Sequence, residues 1–350
     1  MTDKTTTFKL NFRQLFLGLI ALAFIWIIYT HFAQVKQVFI VLLQGKWYWL
    51  GIALIIEFFY FLIYANIYQR MFKIVGVKKT DIYELLQLTF ASIFINVAIP
   101  LAGASSIALF VDSAVARNQS AAKTAIGATL SMIGNIAAFL GILFVGLMLL
   151  AAQQSLKPYI LITASILFMA IFFGYGLIIL SFKKPKIVGL IFRIINTVVK
   201  RLAGIFGQAK NIKDSWVDET IHELETIGVL LKGERNKLLK ILLLAFISHL
   251  AGVTALFFTF LAFGGPFSIA LPIIAYSIAI LFTIISITPQ GIGFSEGAII
   301  LVLSSLGTPI ATATVIALAF RGISFWLPFL AGFFILNRFK ADSSRKSLAK

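Results

Sequence analysis

Nine long apolar runs, at 15–33, 48–66, 84–111, 124–152, 159–182, 238–263, 267–288, 292–306 and 310–337, put this chain in a membrane. Most of them approach or exceed the roughly 20 residues that cross a bilayer's hydrocarbon core. With 60% hydrophobic and only 12% charged residues, no soluble domain fits. The formal net charge of +17 resembles a nucleic-acid signal, but the lysines and arginines sit in the gaps between apolar runs. The bias of basic residues toward cytoplasmic loops explains that without any nucleic acid. Lys4, Lys9 and Arg13 precede the first run, which is too long for a signal-peptide core and is read as a retained span.

The same bias decides how the runs are threaded. If 84–111 and every other run crossed once, the segment 183–240 and its twelve lysines and arginines would lie opposite the N-terminus. Two re-entrant hairpins remove the conflict, one over 84–116 broken near Pro100 and Gly103, the other over 268–306 broken near Pro289, Gly291 and Gly293. Six full spans remain, and 26 basic residues face the cytoplasm against 3 outside. The expectation is an all-α polytopic membrane protein of six spans and two re-entrant helical hairpins. Its N- and C-termini are cytoplasmic, in a bacterial or archaeal inner membrane.

The hairpins then enter from opposite sides, within units 48–152 and 238–337. Pro100 to Asn118 and Pro289 to Gly307 have equal separations, and each ends at a span rich in small residues. Inverted repeats with broken helices meeting at mid-membrane are a transporter pattern, although small residues recur on any helix-packing surface. Between the units, 183–237 carries Phe192, Ile195, Val198, Val199, Leu202 and Ile205 at helical spacing, with Arg193, Lys200 and Arg201 among them. That is a basic amphipathic helix for an anionic membrane surface, or a solvated loop helix.

Charges inside apolar runs are the candidate functional residues, because each costs roughly 2.5–3.5 kcal/mol at the bilayer centre on insertion scales. Glu296 lies in the second hairpin and Arg321 in the following span. They pair with each other, bind a ligand, or do both in turn. A helix starting near Phe294, after Pro289, Gly291 and Gly293, presents N–H groups to an anion, with Ser295 and Glu296 in its first turn. Arg321 supplies a fork suited to phosphate. Glu57, between Ile-Ile and Phe-Phe, is a proton-coupling site or a packed acid. Asn96, Asn135, Ser92 and Ser131 are expected to make interhelical hydrogen bonds, and His249 to be a satisfied interior histidine. Zero cysteines exclude thiolate chemistry and disulfides, and three scattered histidines make a histidine metal cluster improbable. No GxSxG, HExxH or P-loop occurs, and Gly291-Ile-Gly293 follows no strand, so neither an enzyme nor a cofactor is expected.

Pro289-Gln-Gly-Ile-Gly-Phe-Ser-Glu296, Leu306-Gly307, Ala-Leu-Ala-Phe-Arg321-Gly, Pro328 and Gly332 resemble the C-terminal signature of the lysylphosphatidylglycerol synthase transmembrane family, also described as flippase-like. The resemblance covers essentially the whole chain, with a weaker first motif at Asn96, Pro100 and Gly103. It implies movement of an anionic or aminoacylated phospholipid, or a polyprenyl phosphate, between leaflets without ATP hydrolysis. The substrate-binding residues would be Asn96, Pro100, Gly103, Pro289, Gly291, Gly293, Ser295, Glu296 and Arg321. In the multiple peptide resistance factor such a domain is fused to an aminoacyl transferase; a standalone membrane domain is expected here. A Gly-Glu pair and a downstream arginine are common in the first motif, where this chain has Gly103-Ala104 and Met132. The alternative is a non-transporting scaffold for a lipid-synthesising enzyme; a membrane-embedded lipid transferase is a weaker one. Lipids, such an enzyme or a second copy are the expected partners.

Overall fold

The computed structural model describes residues 32–78, 80–101, 103–153, 158–183, 197, 226–231, 233–265, 267–286 and 288–348. Almost all of the first expected span and of the basic amphipathic segment therefore lie outside the described residues. Within them the chain is helical, without a strand.

Helices α1 (Phe32–Gln44) and α2 (Trp47–Ile74) lead into α3 (Ile82–Ala98), α4 (Ala104–Val115), α5 (Ala121–Ala152) and α6 (Pro158–Lys183). After the central segment come α7 (Arg235–Ala262), α8 (Ala270–Ile285), a 3₁₀ turn at Pro289–Gly291, α9 (Phe294–Ser305) and α10 (Ile310–Arg321). A π-helical turn at Gly322–Trp326 joins α10 to α11 (Leu327–Leu348). Four helical stretches are long and apolar enough to cross a membrane: Trp47–Ile74, Ala121–Ala152, Arg235–Ala262 and Ile310–Asn337. At 1.5 Å per residue, α3 and α8 reach only about 25 Å, and α4 and α9 about 18 Å, short of the ~30 Å hydrocarbon core.

The breaks fall where the backbone demands them. Gly103 (φ 88°) precedes α4 and Gly293 (φ 84°) precedes α9, conformations that glycine adopts without a Cβ penalty. The start of α3 is tied to the end of α4 and the turn after it, away from the break: Arg117 Nη1 donates to Glu84 Oε2 and Ser113 Oγ to Glu84 Oε1, each at 2.5 Å.

Element lengths recur along the chain. Helices of 28, 17 and 12 residues (α2, α3, α4) are followed later by helices of 28, 16 and 12 (α7, α8, α9). The starting residues are 188 apart for 47 and 235 and for 82 and 270, 190 apart for 104 and 294, and 189 apart for 121 and 310. Left-handed residues follow the same interval, at Gly76 and Gly264, Gly103 and Gly293, and Asn118 and Gly307.

Packing repeats the pattern. α2 and α7 form the most extensive helix pair, while α3 lies on α11 and α8 on α5. Each of these last contacts closes over a glycine: Gly332 meets the Phe90 backbone, and Gly146 meets Ser277. Phe94 and Phe329 are wholly buried in one seam, and Leu143 and Ile274 in the other.

Candidate functional site

The second helix break builds an ion pair. α9 starts directly after Gly293, so Glu296 occupies its first turn and folds back on the break: the Gly293 N–H donates to Glu296 Oε2 at 2.8 Å. Arg321 reaches the same carboxylate from the end of α10, with Nε donating to Oε1 at 2.8 Å. Arg321 Nη2 also donates to the Gln290 carbonyl oxygen at 3.1 Å, and the guanidinium carbon lies 4.4 Å from the Phe325 ring centroid. Gln290 offers that carbonyl because it adopts a left-handed conformation within the turn (φ 53°). Arg321 is only 7% exposed, yet Nη1 has no hydrogen-bond partner among the described residues. One edge of the guanidinium therefore ties α10 to α9 and to the turn before it.

Arg321 lines a polar cavity of about 230 Å³ between both sets of helices. The far wall comes from α2, α3 and α4: Glu57, Tyr60, Tyr64, Tyr68, Asn96 and Ser106. Residues three or four apart along a helix share a face, so Glu57, Tyr60, Tyr64 and Tyr68 make a single stripe down α2. Tyr60 and Tyr64 are stacked, and Tyr68 stacks on Phe110 of α4. Glu57 is 4% exposed, and its Oε2, Asn96 Oδ1 and Ser106 Oγ have no hydrogen-bond partner among the described residues.

The expected substrate-binding residues separate into three groups. Ser295, Arg321, Asn96 and Gly103 line the polar cavity, as does Glu57. Pro289, Gly291 and Pro100 shape the turns instead; Gly291 is packed so that a Cβ would meet Thr283 Cα at 2.8 Å. Gly293 opens on a separate apolar pocket of about 430 Å³ bounded by Ile160, Phe282, Phe294 and Leu301. Glu296 fixes Arg321. The interhelical role expected of the small polar residues is not what they do: Ser92 donates to Thr89 O and Ser131 to Gly127 O within their own helices. The Asn96 and Asn135 side chains each leave a buried atom unpartnered. Near-hydrophobic helices favour this back-bonding because the i−3 or i−4 carbonyl is the nearest acceptor. His249 is interior and bonded, to Tyr276 Oη at 3.0 Å and to the Asn135 carbonyl oxygen at 3.2 Å.

Sequence reading passed over Tyr60, Tyr64, Tyr68, Tyr276, Gln290, Ser324 and Phe325, all on the cavity wall. The i, i+4, i+8 tyrosines beginning three residues after Glu57 were the available signal. The described residues include no group of three or more acidic or histidine side chains able to hold a metal ion.

Such a fold and site define a multi-pass helical membrane protein with a cavity between its helices that several polar side chains line. The family model described as lysylphosphatidylglycerol synthase TM region matches residues 14–332, and the chain belongs to that family. No curated protein and no solved structure matches the chain.

Proposed function

We propose that this protein moves a lipid with an anionic headgroup between leaflets, using the polar cavity as the headgroup's passage and no ATP. The observation that carries this reading is Arg321: a buried guanidinium facing a polar cavity, paired on one side only. A phosphate oxygen at Nη1 would complete the fork and lie near the first N–H groups of α9, whose partial positive charge favours it. Family membership supports a role tied to membrane lipids.

On this reading α2–α5 and α7–α11 are two inverted units, and α3–α4 and α8–α9 are re-entrant hairpins. The recurring lengths, the constant interval and the reciprocal seams support this. Arms too short to cross suit hairpins that enter and leave on one side, and broken helices meeting beside a cavity are where exposed backbone is tolerated in a bilayer.

The test is leaflet exchange of a fluorescent phosphatidylglycerol in proteoliposomes. Wild type is expected to exceed protein-free vesicles, and Arg321→Lys to be slower because an ammonium lacks the fork. Exchange at the protein-free rate across phosphatidylglycerol and a polyprenyl phosphate would favour the scaffold alternative.

A further inference from the structure

His249 sits behind the cavity wall and is bonded to it. Its ring is buried where α7 meets α5 and α8, with Nε2 3.2 Å from the Asn135 carbonyl oxygen and Nδ1 3.0 Å from Tyr276 Oη. Gly252, one turn further along α7, keeps the place open: a Cβ there would lie 2.7 Å from Tyr276 Oη. Tyr276 itself lines the polar cavity, together with Glu57, Tyr60 and Tyr64 of α2 and Arg321 of α10. Arg321 is held by Glu296, so Glu57 is the carboxyl on this wall that can hand on a proton. From α5 the ring meets the Asn135 carbonyl and the Phe139 ring.

We infer that His249 is a proton-binding site, filled from the cavity through the Tyr276 hydroxyl. A backbone carbonyl only accepts, so Nε2 carries the hydrogen; in the neutral ring Nδ1 is then the acceptor, and the tyrosine donates to it. The one hydroxyl hydrogen thus points at His249, and the oxygen is left to accept from the cavity. A proton arriving there is taken up without a side chain moving: Oη binds it as its own hydrogen passes to Nδ1. One O–H bond breaks, one O–H and one N–H form, and water or the Glu57 carboxyl gives up the proton. The product is as well bonded as the start. Nε2–H still donates to Asn135, Nδ1–H donates to Oη, and the hydroxyl now donates into the cavity. A buried cation without such partners would be costly. The site goes beyond lipid movement and holds whichever molecule uses the cavity.

The test uses the full chain with isotope-labelled histidine in lipid nanodiscs, where His31→Gln and His222→Gln leave a single imidazole. At neutral pH, long-range proton–nitrogen NMR spectra are expected to show Nε2 protonated and Nδ1 bare. As the pH falls, both nitrogens should become protonated while circular dichroism stays helical. Tyr276→Phe keeps the ring but removes the relay oxygen, which leaves a buried Nδ1–H without an acceptor; the protonation should be lost. If Tyr276→Phe does not fold, Ser106→Cys capped with a bulky maleimide serves in its place: plugging the cavity should slow proton exchange at the ring about tenfold or more, read from line shapes. Nε2 bare at neutral pH, no protonation before the helices unfold, protonation in Tyr276→Phe equal to wild type, or unchanged exchange in the capped protein would overturn the site. No lipid moves in this assay, so its failure leaves leaflet exchange standing, and a failure of leaflet exchange leaves the proton site standing.

Discussion

Arg321→Met should be the most destabilising single change at the site, and its cost should depend on Glu296. In wild type the guanidinium bonds Glu296 Oε1 and the Gln290 carbonyl and lies over Phe325. Removing it leaves a largely buried carboxylate with the Gly293 N–H as its remaining donor. Breaking one half of a buried pair typically costs about 3–5 kcal/mol. The lost ring contact adds about 0.5–1 kcal/mol. Glu296→Gln is milder, because an amide oxygen still accepts from Gly293 or Arg321; losing the charge from that hydrogen bond should cost roughly 2 kcal/mol. With both charges gone, nothing buried is left uncompensated, and the double variant should sit only about 2 kcal/mol below wild type. The cycle thus predicts a coupling of roughly 3 kcal/mol or more, at or above the usual range for residues in contact. Unfolding in mixed micelles with rising SDS, followed by circular dichroism, gives the four free energies. Additive losses within about 0.5 kcal/mol would refute the argument that the pair ties α9 to α10.

Gly332→Ala, on the α3–α11 seam, should destabilise by about 1–2 kcal/mol in the same unfolding assay: the Cβ would run into the Phe90 backbone, so overpacking should cost about 2–3 kcal/mol, the upper end of its usual range, against a helix-propensity gain of about 1. Gly51→Ala, whose Cβ meets open space, should be neutral or stabilising. A cysteine at exposed Asn118 should react with an impermeant thiol reagent only after cells are permeabilised, whereas one at Ile310 should react from outside; the reverse at either position would contradict the hairpin threading. Gly293→Leu should slow lipid exchange without lowering helicity, because it fills the apolar pocket at the break and strains a left-handed residue; an unchanged rate would remove that pocket from the pathway.

Where a rule is strict, the sequence was legible. Glu296 and Arg321 stood out because a lone charge in hydrocarbon is expensive, and the structure pairs them. Proline and glycine marked the interruptions at 99–103 and 286–293, since few other residues tolerate those backbones. Legibility failed where the alphabet is monotonous. α2 is apolar all round, so periodicity hides which face meets the cavity, and the tyrosine stripe passed as ordinary aromatic content. Small polar residues were equally opaque: nothing in the sequence says whether Ser92 or Ser131 bonds its own helix or a neighbour. The recurrence of lengths was nearly invisible because the matched positions, such as Met132 and Arg321, share no chemistry.

The passage itself is tested most directly by plugging it. The chain has no cysteine, so Ser106→Cys places a single thiol in the cavity wall. Lipid exchange is measured in proteoliposomes before and after that thiol is capped with a bulky maleimide, with modification confirmed by intact mass and capped Asn118→Cys as the control. The account predicts that capping position 106 brings exchange down to the protein-free rate while capping position 118 leaves it unchanged. Full exchange with position 106 quantitatively capped would contradict it, because the headgroup would then be crossing somewhere other than this cavity.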